Sequence, residues 1–408
     1  MRRCSAVRLA TCAALCTVAA YAQTTATYTY TGNAVAIPVD SADVAAVAEI
    51  FVPRAIQVSS VTARVVIDYP AIGDLEIALF SPRGTRTVLL DNDCGALVNV
   101  NTTFEDTAPT GYKEFCPVEA GRGPFRPDQP LANSRGELSA GYWTLSVLNT
   151  QSDARTGSIR DFSITITGTA ITQPTFTNGS VVNSARDDGF GIVSPGELVS
   201  IYGVALGPAQ GVTASSTPVP TTLGGTTVMF DGVAVPILYS SSLQLNVQAP
   251  FTLTPGAVTT VEVRTTAGTS QQVQLEVASA FAGLYTTQSN GRGQVRAINE
   301  NGTINSISNP APRGTFVSLF GTGLGAVNPS VNTGAAAPTS PLATVDGTAV
   351  AIGGVSTNVS YAGLAPGLVG VYQINAQVPT GIVPGARSVL LLPRNGLPSQ
   401  PRAFIYVQ

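Results

Sequence analysis

The second half of the chain repeats itself, and that repeat narrows the fold more than any other feature. SPGELVSIYGVALGPA begins at Ser194 and APRGTFVSLFGTGLGAV at Ala311; behind a proline, both share G-x-x-V-S-[IL]-[YF]-G-x-x-L-G. Further on, LQLNVQAP (243–250) matches YQINAQVP (372–379). The offset grows from 117 (Pro195 to Pro312) and 118 (Val199 to Val317) to 129 (Asn246 to Asn375), so insertions accumulate between the blocks. Two copies of one supersecondary unit are the simplest source of this pattern. VEVR (261–264) and VQLEV (273–277) alternate apolar and polar residues, as half-buried strands do. With 41 Gly and 28 Pro in 408 residues, there is little room for long helices. Short strands separated by Gly/Pro turns predict a β-sandwich for each copy. The joining segment carries Asn290-Gly291 and Asn301-Gly302, both hairpin-turn dipeptides.

Residues 28–168 read as an antiparallel β domain. VTARVVID (61–68) alternates for much of its length, and LEIALF (75–80) is stopped by the turn chemistry of Ser81-Pro82-Arg83-Gly84. Segments 87–90, 143–148 and 162–167 supply further strands. Between them, the turn-rich stretch 91–135 holds Cys94, Cys116 and seven acidic residues. Long loops of this kind are more often functional than idle. Composition changes again over 169–178, where few apolar anchors predict a linker.

The first 22 residues read as an export signal. Arg2, Arg3 and Arg8 make a basic start, residues 9–19 an apolar run, and Ala20-Tyr21-Ala22 a cleavage site. The mature chain would begin at Gln23 with 18 basic and 24 acidic side chains, a formal charge of −6. Phosphate binding needs a basic face, so a nucleic-acid partner is not expected. No later stretch reaches the roughly 18 unbroken apolar residues of a membrane-spanning helix, so no transmembrane segment is expected in the mature chain. Cys4, Cys12 and Cys16 leave with the signal, and Cys94 and Cys116 remain as an even pair in an exported chain, the pattern of one disulfide.

The missing residues are informative too. Histidine is absent, which excludes Ser-His-Asp and Cys-His nucleophile systems and His-ligated zinc. Lysine occurs once, at Lys113, which argues against Schiff-base chemistry and Walker-type phosphate binding. Catalysis is therefore not expected.

Five blocks between residues 28 and 168 carry a resemblance: GDLEIALFSPRGT (73–85), NTTFEDTAP (101–109), GPFRPDQPLANSRGE (123–137), GYWTLSVLN (141–149) and GSIRDFSITITG (157–168). Together they resemble the P/Homo B domain that follows the catalytic domain of kexin- and furin-like proprotein convertases. The resemblance implies a β jelly roll that stabilises a neighbouring subtilisin-like protease and often binds calcium. The sequence departs from the family at Asn149, where Asp is common, and at Phe162, where Trp is common. No protease domain is read ahead of Tyr28, so the activity is not expected to carry over. The remainder, 178–408, resembles an uncharacterised C-terminal domain of secreted acidobacterial (Solibacter-type) proteins, through NPAPRGTFVSLFGTGLG (309–325) and YAGLAPGLVGVYQINAQVP (361–379). Each half is also similar to immunoglobulin-like IPT/TIG domains.

Calcium is the cofactor to test, because it takes about six to eight oxygens from carboxylates and carbonyls on turns. The candidate ligands are Asp74, Asp91, Asp93, Glu105 and Asp106. The competing reading makes them solvated turn and capping residues. Gly321-Thr322-Gly323-Leu324-Gly325 follows a strand but opens into Asn328-Pro329 and not a helix, so it reads as a sandwich turn and not a phosphate loop. A glycosidase needs two acids across a sugar, and nothing here implies a cleft between such a pair. Gln244, Asn246 and Gln248, echoed by Gln373, Asn375 and Gln377, form a polar ladder that could contact a glycan but more often is the solvated side of a strand. Leu392-Pro393-Arg394-Asn395-Gly396 reads as a strand end and turn.

The sequence therefore predicts an all-β chain. Its parts are a signal peptide (1–22), a jelly-roll β-sandwich (23–168), a linker (169–178), a first immunoglobulin-like β-sandwich (179–279), a connecting hairpin segment (280–309) and a second immunoglobulin-like sandwich (310–408). The expected protein is non-catalytic and secreted, at the cell surface or in the periplasm, and binds or scaffolds an extracellular protein or a glycan. The alternative is an accessory factor that docks on a separate secreted protease of the subtilisin type.

Overall fold

The computed structural model describes residues 23–39, 44–117, 123–151, 155–186, 188 and 191–408. The predicted signal peptide lies outside the described residues. The architecture is all-β, as expected. The longest α-helix among the described residues is the single turn Tyr112–Phe115.

The N-terminal jelly roll packs two antiparallel sheets face to face. One runs Gln23–Thr29, Gly157–Ala170, Ile56–Asp68, Val100–Phe104, with Val35–Ile37 added to the Gly157–Ala170 strand. The other runs Ala46–Val52, Gly141–Asn149, Leu75–Phe80, Arg86–Asp91. Alternation decides what goes inside. Val61, Ala63, Val65 and Ile67 point inward from the long strand Ile56–Asp68 and meet Trp143, Leu145 and Val147 in one core. Each fully buried Val, Leu or Ile contributes about 1.5–3 kcal/mol. Trp143 is enclosed, and its indole N–H is satisfied by the Ser139 carbonyl at 2.8 Å. Phe162 is likewise a core residue.

The two repeats form two further sandwiches. In the first, the sheet Val181–Asn183, Leu198–Tyr202, Gln244–Gln248, Ile237–Ser240, Val212–Thr213 faces one built on Val273–Val277, Val258–Thr265 and Thr226–Phe230. In the second, Gly283–Leu284, Phe316–Thr322, Tyr372–Gln377, Val359–Leu364 faces a sheet built on Ala403–Val407, Gly385–Leu392 and Ala349–Ile352. The repeated motifs are neighbouring strands in both: Ser200 stands opposite Asn246, and Ser318 opposite Asn375. The next strand carries a bulge at the same place in each copy, between Ile237 and Tyr239 and between Val359 and Tyr361.

Residues at the predicted boundaries are drawn into the sandwiches. Thr175 exchanges backbone hydrogen bonds with Val204, and Phe176 is buried in the first core. Gly283–Leu284, Gly293–Gln294 and Ala297–Asn299, from the connecting segment, all pair into the sheets of the second sandwich.

Buried hydrogen bonds join the two sandwiches along a seam. The Leu198 N–H donates to Thr322 Oγ1 at 2.9 Å, and that hydroxyl donates to the Gly370 carbonyl at 2.9 Å. Asn183 donates to the Phe281 carbonyl at 2.7 Å. Gln400 bridges Ala185 and Leu284 at 2.9 and 2.6 Å. The glycine run 321–325 belongs to this seam. Gly323, at φ +80°, passes so close to Phe281 that a Cβ would meet the Phe281 carbonyl at 2.1 Å. The run is a site of close chain approach, in line with the sandwich-turn reading.

Candidate functional site

Of the five predicted calcium ligands, Asp74, Glu105 and Asp106 are each engaged in a separate place. Asp74 ends the turn Ile72–Asp74, and its carboxylate is paired with the Arg155 guanidinium. Glu105 accepts from the Thr107 hydroxyl at 3.2 Å. Asp106 accepts from the Leu131 and Ala132 N–H groups, both at 2.8 Å, and so caps the short turn Leu131–Ser134. Asp91 and Asp93 do lie close together, with Asp128 as a third acid: the Asp91 N–H donates to Asp128 Oδ2 at 3.2 Å. Among the described residues, no group of three or more candidate ligands is arranged to hold a metal ion.

The cation at that spot belongs to the protein. Lys113 Nζ lies 3.2 Å from Asp128 Oδ1. Burial pushes the Asp128 carboxyl up, Lys113 counters that rise, and Asp93 adds to it. Lys113 is in turn held above its ordinary value, first by Asp128 and then by Asp93 and Asp91. The disulfide explains the placement. Cys94 and Cys116 are bonded, with their Cα atoms 5.2 Å apart, which clips the end of the acidic loop to the helical turn Tyr112–Phe115 that bears Lys113. Sequence reasoning missed this role, although a sole lysine inside an acid-rich loop is a readable signal.

The polar ladders are where the two repeats differ most from expectation. On the first, Val199, Ile201, Leu245 and Val247 face the core, which turns Ser200, Tyr202, Gln244, Asn246 and Gln248 to the opposite face. That face is covered by the second sandwich at one end only. Gln248 is buried there, accepting from the Gly334 N–H at 2.6 Å and donating to the Gly196 carbonyl at 3.3 Å. Further along, Ser200 donates to Asn246 Oδ1 at 3.1 Å and Gln244 to the same oxygen at 2.9 Å. The second copy repeats this geometry: Ser318 and Gln373 both donate to Asn375 Oδ1 at 2.9 Å. The first ladder therefore runs from a sealed contact into an opening, and is not a uniformly solvated strand face.

That opening is a recess of about 550 Å³ between the sandwiches. Its floor is Ser200, Gln244 and Asn246. Its walls include Tyr202 and Phe320, which occupy the same [YF] position in the two repeats, and the exposed Leu368. Arg296 stands at the rim, its Nε donating to the Thr286 carbonyl and its Nη2 to Ser289 Oγ, each at 3.1 Å. Tyr285 donates to or accepts from Ser184 at 2.9 Å, and burial pushes its hydroxyl up to about 12. A second hollow of about 390 Å³ shares Ser184, Ser200, Tyr202 and Ser289 and extends the recess. Sequence reasoning had the amides but missed Tyr202 and Phe320; a large aromatic on the outward phase of a strand was their signal.

Behind the recess lies Glu197, fully buried. Ser194 donates to its Oε2 from both N–H and hydroxyl at 2.8 Å, and the same hydroxyl reaches the Gly323 carbonyl of the second sandwich at 3.2 Å. Burial pushes this carboxyl up to about 8, against the opposing pull of the Ser194 bonds. The carboxyl is a seam residue, one position from Leu198, and does not face the recess.

Comparison with known proteins bears on the N-terminal domain. A search of curated proteins finds no match. Among solved structures, the chain is similar to the Aeromonas sobria serine protease in complex with the chaperone ORF2, at 20% identity and a TM-score of 0.25. That likeness covers 36% of this chain and 27% of the other, so the chain spans less than a third of that protein. It is also similar to SGBP-B of the Bacteroides ovatus mixed-linkage glucan utilization locus, in complex with a mixed-linkage heptasaccharide, at 11% identity and a TM-score of 0.26 over 82% of this chain and 60% of the other. Residues 58–166, within the jelly roll, match the model of the proprotein convertase P-domain.

Proposed function

We propose that this chain is a secreted, non-catalytic binding and scaffolding protein that holds an extracellular ligand in the recess between its two C-terminal sandwiches. The observation that carries the reading is the recess itself, an amide-and-hydroxyl floor between aromatic walls, set at a seam fixed by buried hydrogen bonds. Binding sites of this kind are concave and largely preformed, with a few placed polar groups. The absence of histidine supports a binding role over a catalytic one.

The test is retention of purified residues 23–408 on the producing cells and on insoluble polysaccharides, with calcium and then with a chelator. Retention in both conditions, reduced by Tyr202→Ala, is the expected result. Retention lost on chelation would move the site to the acidic loop, and no retention in either condition would overturn the reading.

A second reading, in which the P-domain docks on a separate subtilisin-type protease, draws on one feature of the N-terminal sheet. Phe51 and Tyr142 stand opposite one another on its outer face, 43% and 58% exposed with ring centroids 5.2 Å apart, and the exposed Val47 lies further along the same face. Exposed aromatic pairs of this kind favour a protein partner. Co-purification with a secreted protease, lost on Tyr142→Ser, would support it.

A further inference from the structure

Resting on the reading that the seam recess is a binding site, we propose that its ligand is an acidic oligosaccharide, with a sugar carboxylate held by Arg296 and a sugar ring seated against Tyr202. The chemistry of the lining selects this class. The floor is built from the inner strands of its sheet, Leu198–Tyr202 and Gln244–Gln248, whose backbone groups are already paired with neighbours. A peptide adding a strand needs a free sheet edge, and this floor offers side chains instead.

Those side chains suit hydroxyl groups. Asn246 Oδ1 takes both local hydrogen bonds, from Ser200 and Gln244. Among the described residues, this leaves the Asn246 amide N–H pair and the Gln244 carbonyl facing the recess as one donor group and one acceptor. A sugar hydroxyl both donates and accepts, so a vicinal pair can meet these two groups together. Tyr202, 46% exposed, offers an apolar ring with a polar tip, the kind of surface on which the C–H face of a sugar ring can lie.

Charge then narrows the class. The chain has an excess of acids, yet no carboxylate lines the recess or its extension among the described residues. Arg186, in the extension, is committed to Asp188 at 2.9 Å and lies 4.3 Å over the Phe281 ring. Arg296 is different: it is exposed, its Nε and Nη2 are fixed to Thr286 and Ser289, and it has no carboxylate partner among the described residues. Its Nη1 is uncommitted. A guanidinium held in place by neutral groups, with one uncommitted nitrogen at an acid-free recess, is prepared for a carboxylate.

Isothermal titration of residues 23–408 with a short oligogalacturonate and with a neutral gluco-oligosaccharide of equal length tests the assignment. The acidic sugar should bind at least about tenfold more tightly, the worth of one charge-assisted hydrogen bond, and the preference should shrink with salt. Arg296→Gln should erase the preference by bringing the acidic sugar down to the affinity of the neutral one, whereas Tyr202→Ala should weaken both. Unchanged melting curves would show that both variants fold. Equal affinities, a preference that survives Arg296→Gln, or tighter binding of an unstructured peptide would overturn the proposal. Retention on cells with no binding of the acidic sugar would overturn the ligand class alone, and loss of retention as well would remove the binding reading beneath it.

Discussion

Gln248 and Gln377 hold the same turn in the two repeats: each sends its side-chain amide to the carbonyl of a left-handed glycine, Gly196 at 3.3 Å and Gly314 at 2.8 Å. The two glutamines differ in what their oxygens do. Gln248 is buried and also accepts from Gly334 of the second sandwich at 2.6 Å, whereas Gln377 is half-buried and its bond stays within its own copy. Duplication of one unit thus supplied a turn clamp, and the seam recruited one of the two clamps.

Replacing these residues separates the two roles. Gln248→Ala leaves the buried Gly334 N–H and the Gly196 carbonyl without their partner, which costs about 2–4 kcal/mol for two unsatisfied groups. Gln377→Ala should cost no more than about 1 kcal/mol, because solvent can reach the exposed turn. Urea unfolding of residues 23–408 measures both. Equal losses would show that the Gly334 contact contributes nothing to the seam.

The seam should also carry a pH dependence. Glu197 has a folded-state value of about 8 against an ordinary 4.5, so the folded chain keeps a proton that the unfolded chain has already released between these limits. Its contribution to stability is fully present below pH 4.5 and is lost as pH rises through 8. Arg186, Asn183 and Ser194 favour the charged form and soften the loss. Glu197→Gln should flatten the melting temperature of the C-terminal sandwiches over this window and make the variant more stable than the parent above it. A parent protein whose melting temperature is level from pH 5 to 9 would contradict this assignment.

Legibility in the sequence followed the physics of each signal. Period-two alternation in VTARVVID and VQLEV, with Gly/Pro turns between, reports local geometry, and the strands Ile56–Asp68 and Val273–Val277 lie where it puts them. Cys94 and Cys116 were readable because only one pairing was open to them. Alternation says which residues leave a core, however, and not what then covers them. Tyr202 and Gln248 therefore looked alike as outward positions, although one lines a recess and the other is sealed against a neighbouring sandwich. The acids were hard for a related reason. Asp106 and Asp74 are both turn residues in sequence, and only the chain's path shows that one caps backbone N–H groups while the other meets Arg155.

Lys113 supplies a prediction about cations. Its removal in Lys113→Met leaves Asp91, Asp93 and Asp128 without that counter-charge, so the Asp128 carboxyl should rise further and the N-terminal domain should lose stability as pH rises through that raised value. The parent should melt at the same temperature with calcium and with a chelator, because the Lys113 ammonium already pairs with Asp128 and offsets the charge of Asp91 and Asp93. In Lys113→Met, added calcium should restore part of the loss. Calorimetry of both proteins decides the matter: a parent that chelation destabilises would mean that a metal site exists apart from this lysine.

The disulfide and that lysine should prove coupled. The Cys94–Cys116 bond closes a segment with a sequence separation of 22, and its removal in Cys94→Ser/Cys116→Ser costs about 3 kcal/mol by loop closure in the unfolded chain. If that were its whole effect, the loss would simply add to the loss in Lys113→Met. But the bond also fixes the turn Tyr112–Phe115 against the acidic loop, and Lys113 meets Asp128 only while that turn is held there. Without the disulfide, Lys113→Met should therefore cost less than it does in the parent. A double-mutant cycle read by urea unfolding should give a coupling of about 0.5–1 kcal/mol between the two sites. Strict additivity would assign the bond to chain entropy alone and leave the placement of Lys113 to the packing of Tyr112 against Phe104 and Phe125.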